Sequence, residues 1–306
     1  ITDEIFNSIL PTYQLERAYD WYSSHGSPDE QVQILIYLGR SYFADGDYDK
    51  AMSIYTNALD IAGKNKLNNL IGYTYDYIGD LYREKFMFTE AIKKYETAAE
   101  CFKKENNTDS YACALKNIGR EYACIDSLSC AIEILTIADS VAANTKDIEV
   151  TASINNALGN IYVMREEYDK AEKYFLKALS TGKEKMPDYV ALIDLYTTTD
   201  SIDKAKELLS KIPQDDPQYT CSINYLYYQI HNAERDYKEA LAYLEEYVDM
   251  VDSIVYADSQ SKILNIESKY NHLKISQEVD RLKIKQQSYI IFSVICISCL
   301  DRKSTR

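Results

Sequence analysis

Proline and glycine are scarce, five and nine in 306 residues, which excludes collagen-like and linker-rich chains. No proline stands between Pro28 and Pro187, so nothing in that stretch forbids a run of unbroken helices. The seven cysteines, at 101, 113, 124, 130, 221, 296 and 299, are too few and too irregularly spaced for a disulfide scaffold of this length. Most are expected to be small buried apolar residues. Cys296 and Cys299 form the one C-x-x-C, inside an apolar run and without a second ligand pair, so no metal site is expected there.

Histidine is rarer still: three, at 25, 231 and 272, none spaced with a cysteine or aspartate as a nucleophilic triad requires. The chain also lacks the glycine-rich phosphate and dinucleotide loops and the H-E-x-x-H zinc helix. No catalytic residue, cofactor or metal is therefore expected. Basic residues are in deficit, 34 against 48 acids for a net charge of −14. Nine of the bases and four of the acids lie in 261–306, leaving 25 bases and 44 acids, or −19, on the first 260 residues. Such a body repels phosphate backbones, so nucleic acid is not an expected partner of this region. With 46% hydrophobic residues, disorder is excluded as well.

What the chain does have is a repeat. Leu38-Gly39 with Tyr42, Ile78-Gly79 with Tyr82, Ile118-Gly119 with Tyr122 and Leu158-Gly159 with Tyr162 recur at a period of 40 residues. Fixed offsets then return Ala51, Ala91, Ala131 and Ala171, the large apolar residues Tyr55, Tyr95, Leu135 and Phe175, and Ala58, Ala98, Ala138 and Ala178. Two weaker copies follow, with Tyr196 and Ala205 and then His231 and Ala240. Apolar positions three, four and seven apart within each half predict two helices per repeat. Asp45-Gly46-Asp47, Arg165-Glu166-Glu167 and Thr199-Asp200-Ser201 supply turns between the halves. Glycine in mid-helix costs roughly 1 kcal/mol against alanine, so Gly39, Gly79, Gly119 and Gly159 are expected to mark a close approach of the partner helix, with the alanines serving the same crossing.

These residues resemble the signature of the tetratricopeptide repeat, over about 32–250. The resemblance implies an all-α, right-handed α-α superhelical solenoid with a long C-terminal helix, acting by binding a peptide or protein segment in a concave groove lined by the first helices. The chain departs from the usual repeat in its 40-residue length, in the missing closing prolines, and in Leu35, Tyr75, Leu115 and Asn155 at the early aromatic position. Ala157 stands where a carboxylate clamp would need an amide, so recognition of a free C-terminus is not expected.

Groove candidates follow from the register. After each repeat glycine come Arg40, Asp80, Arg120 and Asn160; three residues before it come Ile36, Asp76, Lys116 and Asn156. These charges either bind ligand or form a neutral ladder in which Asp80 sits between Arg40 and Arg120. Tyr37, Tyr73 and Tyr77, with Tyr225 and Tyr228, either face the groove as rigid recognition rings or pack between helices. Tyr48, Tyr168 and Tyr237 are expected to pack at helix-turn junctions.

The expected organisation is a degenerate half-repeat over 1–31, the solenoid over 32–255, a charged connector helix with short or irregular coiled-coil character over 256–288, and an uncharged run over 289–300. That run, Tyr289 to Leu300, is shorter than the roughly 20 residues that span a bilayer. The following Asp301-Arg302-Lys303-Ser304-Thr305-Arg306 resembles a translated sequencing adapter, so 289–300 is expected to be a truncated transmembrane segment. This order resembles single-pass regulators of Bacteroidota-type bacteria, which implies an inner-membrane anchor with periplasmic repeats sensing for an output domain beyond the segment. Against that orientation stand Lys269, Lys274, Arg281, Lys283 and Lys285, which by the positive-inside tendency favour cytoplasmic repeats. A cytoplasmic scaffold or peptide-responsive regulator with 289–300 as a hydrophobic cap is the alternative.

Overall fold

A computed structural model describes residues 12–256 apart from 146, 184 and 215, together with 260, 274 and 281–285. The expected segments 1–11 and 289–306, and most of 256–288, lie outside the described residues. The chain forms two compact units, Ile1–Ile254 and Val255–Arg306. In the first, the helices are α1 Thr12–His25, α2 Pro28–Ala44, α3 Tyr48–Asn65, α4 Asn68–Glu84, α5 Phe88–Lys104, α6 Thr108–Cys124, α7 Leu128–Ala142, α8 Ile148–Met164, α9 Tyr168–Thr181, α10 Met186–Thr198, α11 Ile202–Leu209 and α12 Thr220–Ala233. Helical residues 237–256 follow.

Each even-numbered helix from α2 to α10 packs on the odd-numbered helix after it as an antiparallel hairpin, and hairpins stack so that first helices lie side by side, α2 on α4, α6 on α8 and α8 on α10, then α12. This is the expected all-α superhelical repeat. α1 packs along α2, burying Leu15 and bonding Thr12 Oγ1 to Ser41 Oγ at 2.7 Å.

The register predicted from the sequence is the core. All eight repeat alanines are fully buried, as are Tyr55, Tyr95, Leu135 and Phe175. Each such large side chain contributes about 1.5–3 kcal/mol by leaving water. Asn155, at an aromatic position, is tolerated in the core because its amide donates to Thr151 O at 2.7 Å and Asp139 Oδ1 at 3.2 Å.

The reason for the glycines differs from the expected helix crossing. A Cβ on Gly79 would stand 2.5 Å from Tyr95 Cε1, and on Gly119 2.6 Å from Leu135 Cγ; Gly39 and Gly159 meet the rings of Tyr55 and Phe175 in the same way. The glycine thus clears room for the large side chain of its own hairpin partner, and at Gly119 the partner backbone stands near as well, with Ala131 O at 3.4 Å. Gly72 does the same for Phe102, 2.7 Å away, outside the periodic set. Gly182 is also confined, 2.9 Å from Ala152 Cβ.

The hairpin turns share one backbone device. Gly46, Phe86, Asp126, Glu166, Asp200 and Arg235 have φ between 56° and 78°, and the next residue's N–H donates back to the carbonyl of the repeat tyrosine. These bonds run Asp47 to Tyr42 at 2.9 Å, Met87 to Tyr82 at 2.9 Å, Ser127 to Tyr122 at 2.9 Å, Glu167 to Tyr162 at 2.9 Å and Ser201 to Tyr196 at 2.7 Å, and Asp236 bonds His231 at 2.9 Å. They are the helix-ending Schellman bonds that satisfy otherwise orphaned carbonyls. Tyr48 and Tyr168 are half-buried at these junctions as expected, whereas Tyr237 is 65% exposed.

The glycine geometry predicts a pair of alanine substitutions of opposite sign. Gly79→Ala should lower stability by about 1–3 kcal/mol, because overpacking against the Tyr95 ring outweighs the better helix propensity. Gly63→Ala, whose Cβ meets nothing within 4 Å, should raise it by about 0.5–1 kcal/mol. Urea unfolding followed by circular dichroism reads both; two shifts of the same sign would contradict the packing role.

Candidate functional site

The first helices carry a row of hollows. At one end, Gln33, Ile36, Tyr37 and Arg40 of α2 face Leu70, Tyr73 and Tyr77 of α4 across a cavity of about 280 Å³. The Arg40 guanidinium lies 5.3 Å from the centre of the Tyr77 ring, which stacks at 6.0 Å on Tyr55. Tyr73 reaches the other way: its hydroxyl is 2.8 Å from Ser110 Oγ on α6 and accepts from Asn107 Nδ2 at 3.2 Å. These tyrosines therefore do both things the sequence left open, lining the hollow and packing between helices.

Toward the other end, two hollows lie side by side. One, of about 450 Å³, is lined by Lys116 and Arg120 of α6, Glu149, Ser153, Asn156 and Asn160 of α8, and Pro187 and Asp188 of α10. The next, of about 650 Å³, shares Asn156, Asn160 and Pro187 and continues over Asp194 to Tyr225 and Gln229 of α12. Together they make one trough crossing four first helices.

Between the two ends sit Asp76 and Asp80 of α4. Asp80 accepts from the Tyr95 hydroxyl at 2.7 Å and lies 3.7 Å from Arg83. The ladder that would have placed Asp80 between Arg40 and Arg120 is not formed, because one turn of helix brings Arg83, and the core ring of Tyr95 brings its hydroxyl, to the carboxylate first. Arg83 also approaches Glu121 at 3.9 Å, a carboxylate 2% exposed at a position apolar in neighbouring repeats. Burial raises the pKa of Glu121 while Arg83 and Arg120 oppose the rise. Asp76 accepts from Asn117 Nδ2 of α6 at 3.2 Å. Its pKa is pushed up to about 7, by burial first and by the Asp80 charge second, against the Asn117 bond and the charges of Lys116 and Arg83.

Tetratricopeptide-repeat profiles match residues 35–68 and 151–186, the first and fourth hairpins of the repeat just described. Those two hairpins are tetratricopeptide repeats by sequence. No curated protein matches it. Among solved structures it is similar to a signal transduction ATPase with a tetratricopeptide repeat sensor from Pyrococcus horikoshii, with a TM-score of 0.67 and 15% identity over 83% of this chain and 42% of that one. It is similar to a Rap protein complexed with Competence and Sporulation Factor, with a TM-score of 0.60 and 16% identity over 83% and 72% of the two chains. The third is pilF of Pseudomonas aeruginosa, at 0.55 and 18% over 77% and 99%. At these identities the likeness shows the fold.

On the repeats, Tyr37, Arg40, Tyr73 and Tyr77 fall in the first hollow and Lys116, Arg120, Asn156 and Asn160 in the trough, while Asp76 and Asp80 hold the strip between. Asp188, Asp194 and Gln229 lie beyond the strict 40-residue register that selects the others, because the switch to shorter repeats after Thr181 hides their alignment, whereas Glu149 lies within that register, seven residues before Asn156. His231, in the tyrosine position, lies beside a stacked pair of rings, Tyr227 and Tyr243, at 6.4 Å and 5.5 Å from their centres, a packed aromatic in geometry.

The raised Asp76 pKa has a pH signature. The folded state holds this proton up to about pH 7 whereas an ordinary aspartate loses it near pH 4. Its contribution is thus complete below the unfolded pKa and is lost as pH rises toward 7 and above. Asp76→Asn should remove that loss, raising stability at pH 7.5 by on the order of 1–2 kcal/mol with little effect at pH 4. Melting curves at the two pH values check this; an equal shift at both would mean that Asp76 does not titrate in this window.

Proposed function

We propose that this chain is a non-enzymatic scaffold that recognises a peptide or protein segment along its first helices, and that it is the sensor region of a membrane-anchored signalling or transcription-regulating protein. Tetratricopeptide repeats suggest a protein-interaction scaffold, and such solenoids generally bind proteins without catalysing reactions. The observation that carries the reading is the trough itself, two adjoining hollows that reach from Lys116 to Gln229 and are both lined by the amides Asn156 and Asn160. Neutral amides, charges and an aromatic rim in a long open hollow suit an extended backbone better than a compact small molecule. A repeat sensor in the Pyrococcus horikoshii protein and the Rap complex with Competence and Sporulation Factor give the same fold in a sensing and a factor-binding setting.

The membrane part rests on the uncharged run 289–300, which lies outside the described residues. Among the described residues no helix is long and apolar enough to cross a membrane. A cytoplasmic scaffold, with 289–300 as a cap, is the second reading, favoured by the bases that precede the run.

Two measurements test these statements. Peptides selected from a displayed library on the whole chain should bind Asn160→Lys, which fills the exposed trough floor, at least about tenfold more weakly than the unaltered protein, with helical signal and melting temperature retained. Undiminished binding would remove the trough from recognition. A chain ending at Gln287 should stay monomeric with full helical content, whereas one ending at Leu300 should partition into detergent. A well-behaved longer chain and a less stable shorter one would assign 289–300 to a cap.

A further inference from the structure

Elsewhere on the solenoid, several acids pair with a base of an adjacent repeat. Glu172 lies 2.9 Å from Lys204, Asp139 3.0 Å from Lys177 and Glu234 2.5 Å from Lys206. The trough departs from this pattern. Among the described residues, Lys116 and Arg120 on its α6 wall lie in no ion pair within 4 Å, and neither do Asp188 and Asp194 on its α10 side. The two carboxylates take amide hydrogens instead, Asp188 from Asn156 Nδ2 at 2.7 Å and Asp194 from Gln229 Nε2 at 2.9 Å. A neutral donor leaves the carboxylate its whole charge. Asp188 is 3% exposed, and burial and the Glu149 charge raise its pKa while the Asn156 bond opposes them. Its carboxyl sits in the trough wall with no basic group within 4 Å among the described residues, so a cationic group of a ligand would meet an acceptor that no base of the chain already occupies.

The charges are also sorted by position. Lys116 and Arg120 stand on α6 and Asp188 and Asp194 on α10, and α8 between them offers Asn156 and Asn160, with Asn160 Nδ2 bonded to Asn156 O at 3.1 Å and Oδ1 at 2.9 Å, while Glu149 at the start of α8 accepts from the Lys183 backbone N–H at 2.6 Å. We propose that the trough selects a peptide presenting an acidic group to Lys116 and Arg120 and a basic group to Asp188 and Asp194, with the backbone between them crossing the two asparagines. This rests on the reading of the trough as a peptide groove and adds what the groove reads. Successive first helices about 10 Å apart put the two walls about 20 Å apart. An extended chain advances about 3.3 Å per residue, and the side chains on both sides span part of the gap, so the two ligand charges fall about four to six residues apart. Charge sorting of this kind rejects like-charged segments more strongly than it attracts the matched one, which is how electrostatics confers specificity.

The test uses the whole chain and four acetylated, amidated decapeptides of serine, alanine and leucine. Two carry one Glu and one Lys five residues apart, in opposite orders; the third carries two Glu and the fourth two Lys at the same spacing. Fluorescence anisotropy should show at least one mixed peptide binding about tenfold more tightly than either like-charged peptide, with the difference shrinking at high salt. Asp194 is exposed, so Asp194→Lys should fold normally and move the preference to the doubly acidic peptide. Equal affinities for the four, an unchanged preference in Asp194→Lys, or failure of all four while library-selected peptides bind at the trough would each overturn the charge pattern and leave the groove reading intact. Failure of every peptide, library-selected ones included, would bring down the groove reading and this inference with it.

Discussion

The structure depends on one close approach, repeated. In each of the first four hairpins a glycine on the first helix receives a large, fully buried side chain of the second: Tyr55 on Gly39, Tyr95 on Gly79, Leu135 on Gly119 and Phe175 on Gly159. The glycine gives up helix propensity, and the ring that replaces its missing Cβ is removed from water almost completely. Because the contact is between specific side chains, it fixes the rotation of both helices about their axes. With those rotations set, the alanines fall where neighbouring hairpins touch, and the tyrosine three residues after the glycine lies where its carbonyl closes the turn.

The same rotation decides what faces the trough. Apart from Ile36, which is buried in the core, the residues immediately after the glycine and three before it are polar and differ in chemistry from repeat to repeat: Arg40, Asp80, Arg120 and Asn160, with Asp76, Lys116 and Asn156. Tyr95 links the two layers. Its ring packs on Gly79 while its hydroxyl holds Asp80, so part of the groove's electrostatics is anchored by the core itself.

Charge is handled in two ways over one scaffold. On the second helices, lysines pair with acids of adjacent repeats at 2.5–3.0 Å, exposed contacts worth little individually that neutralise the acidic body locally. Along the first helices, acids are held by amides, by a tyrosine, or by a guanidinium at longer range. Asp76 near pKa 7 is the extreme case. A surface that keeps unneutralised charge where it also keeps open volume is arranged for something other than folding stability.

The sequence alone determined the helix pairs, the turns at 45–47, 165–167 and 199–201 and the buried set, because these follow from a period of 40 residues with fixed offsets, and periodicity is a local property of the chain. It also selected most groove positions, since those are defined by offset from the glycine. It did not determine why the glycines are there, because whether a missing Cβ accommodates a backbone or a ring depends on how two helices rotate against each other. Nor did it pair the charges: Asp80 bonds Tyr95 and Arg83, not Arg40 or Arg120, since reach across a helix turn competes with reach across the stack and only coordinates decide the winner. The acids Asp188 and Asp194 lay beyond sequence reasoning for a different reason. After residue 181 the repeats shorten, the register is lost, and only tertiary packing returns those side chains to the wall that faces Lys116 and Arg120.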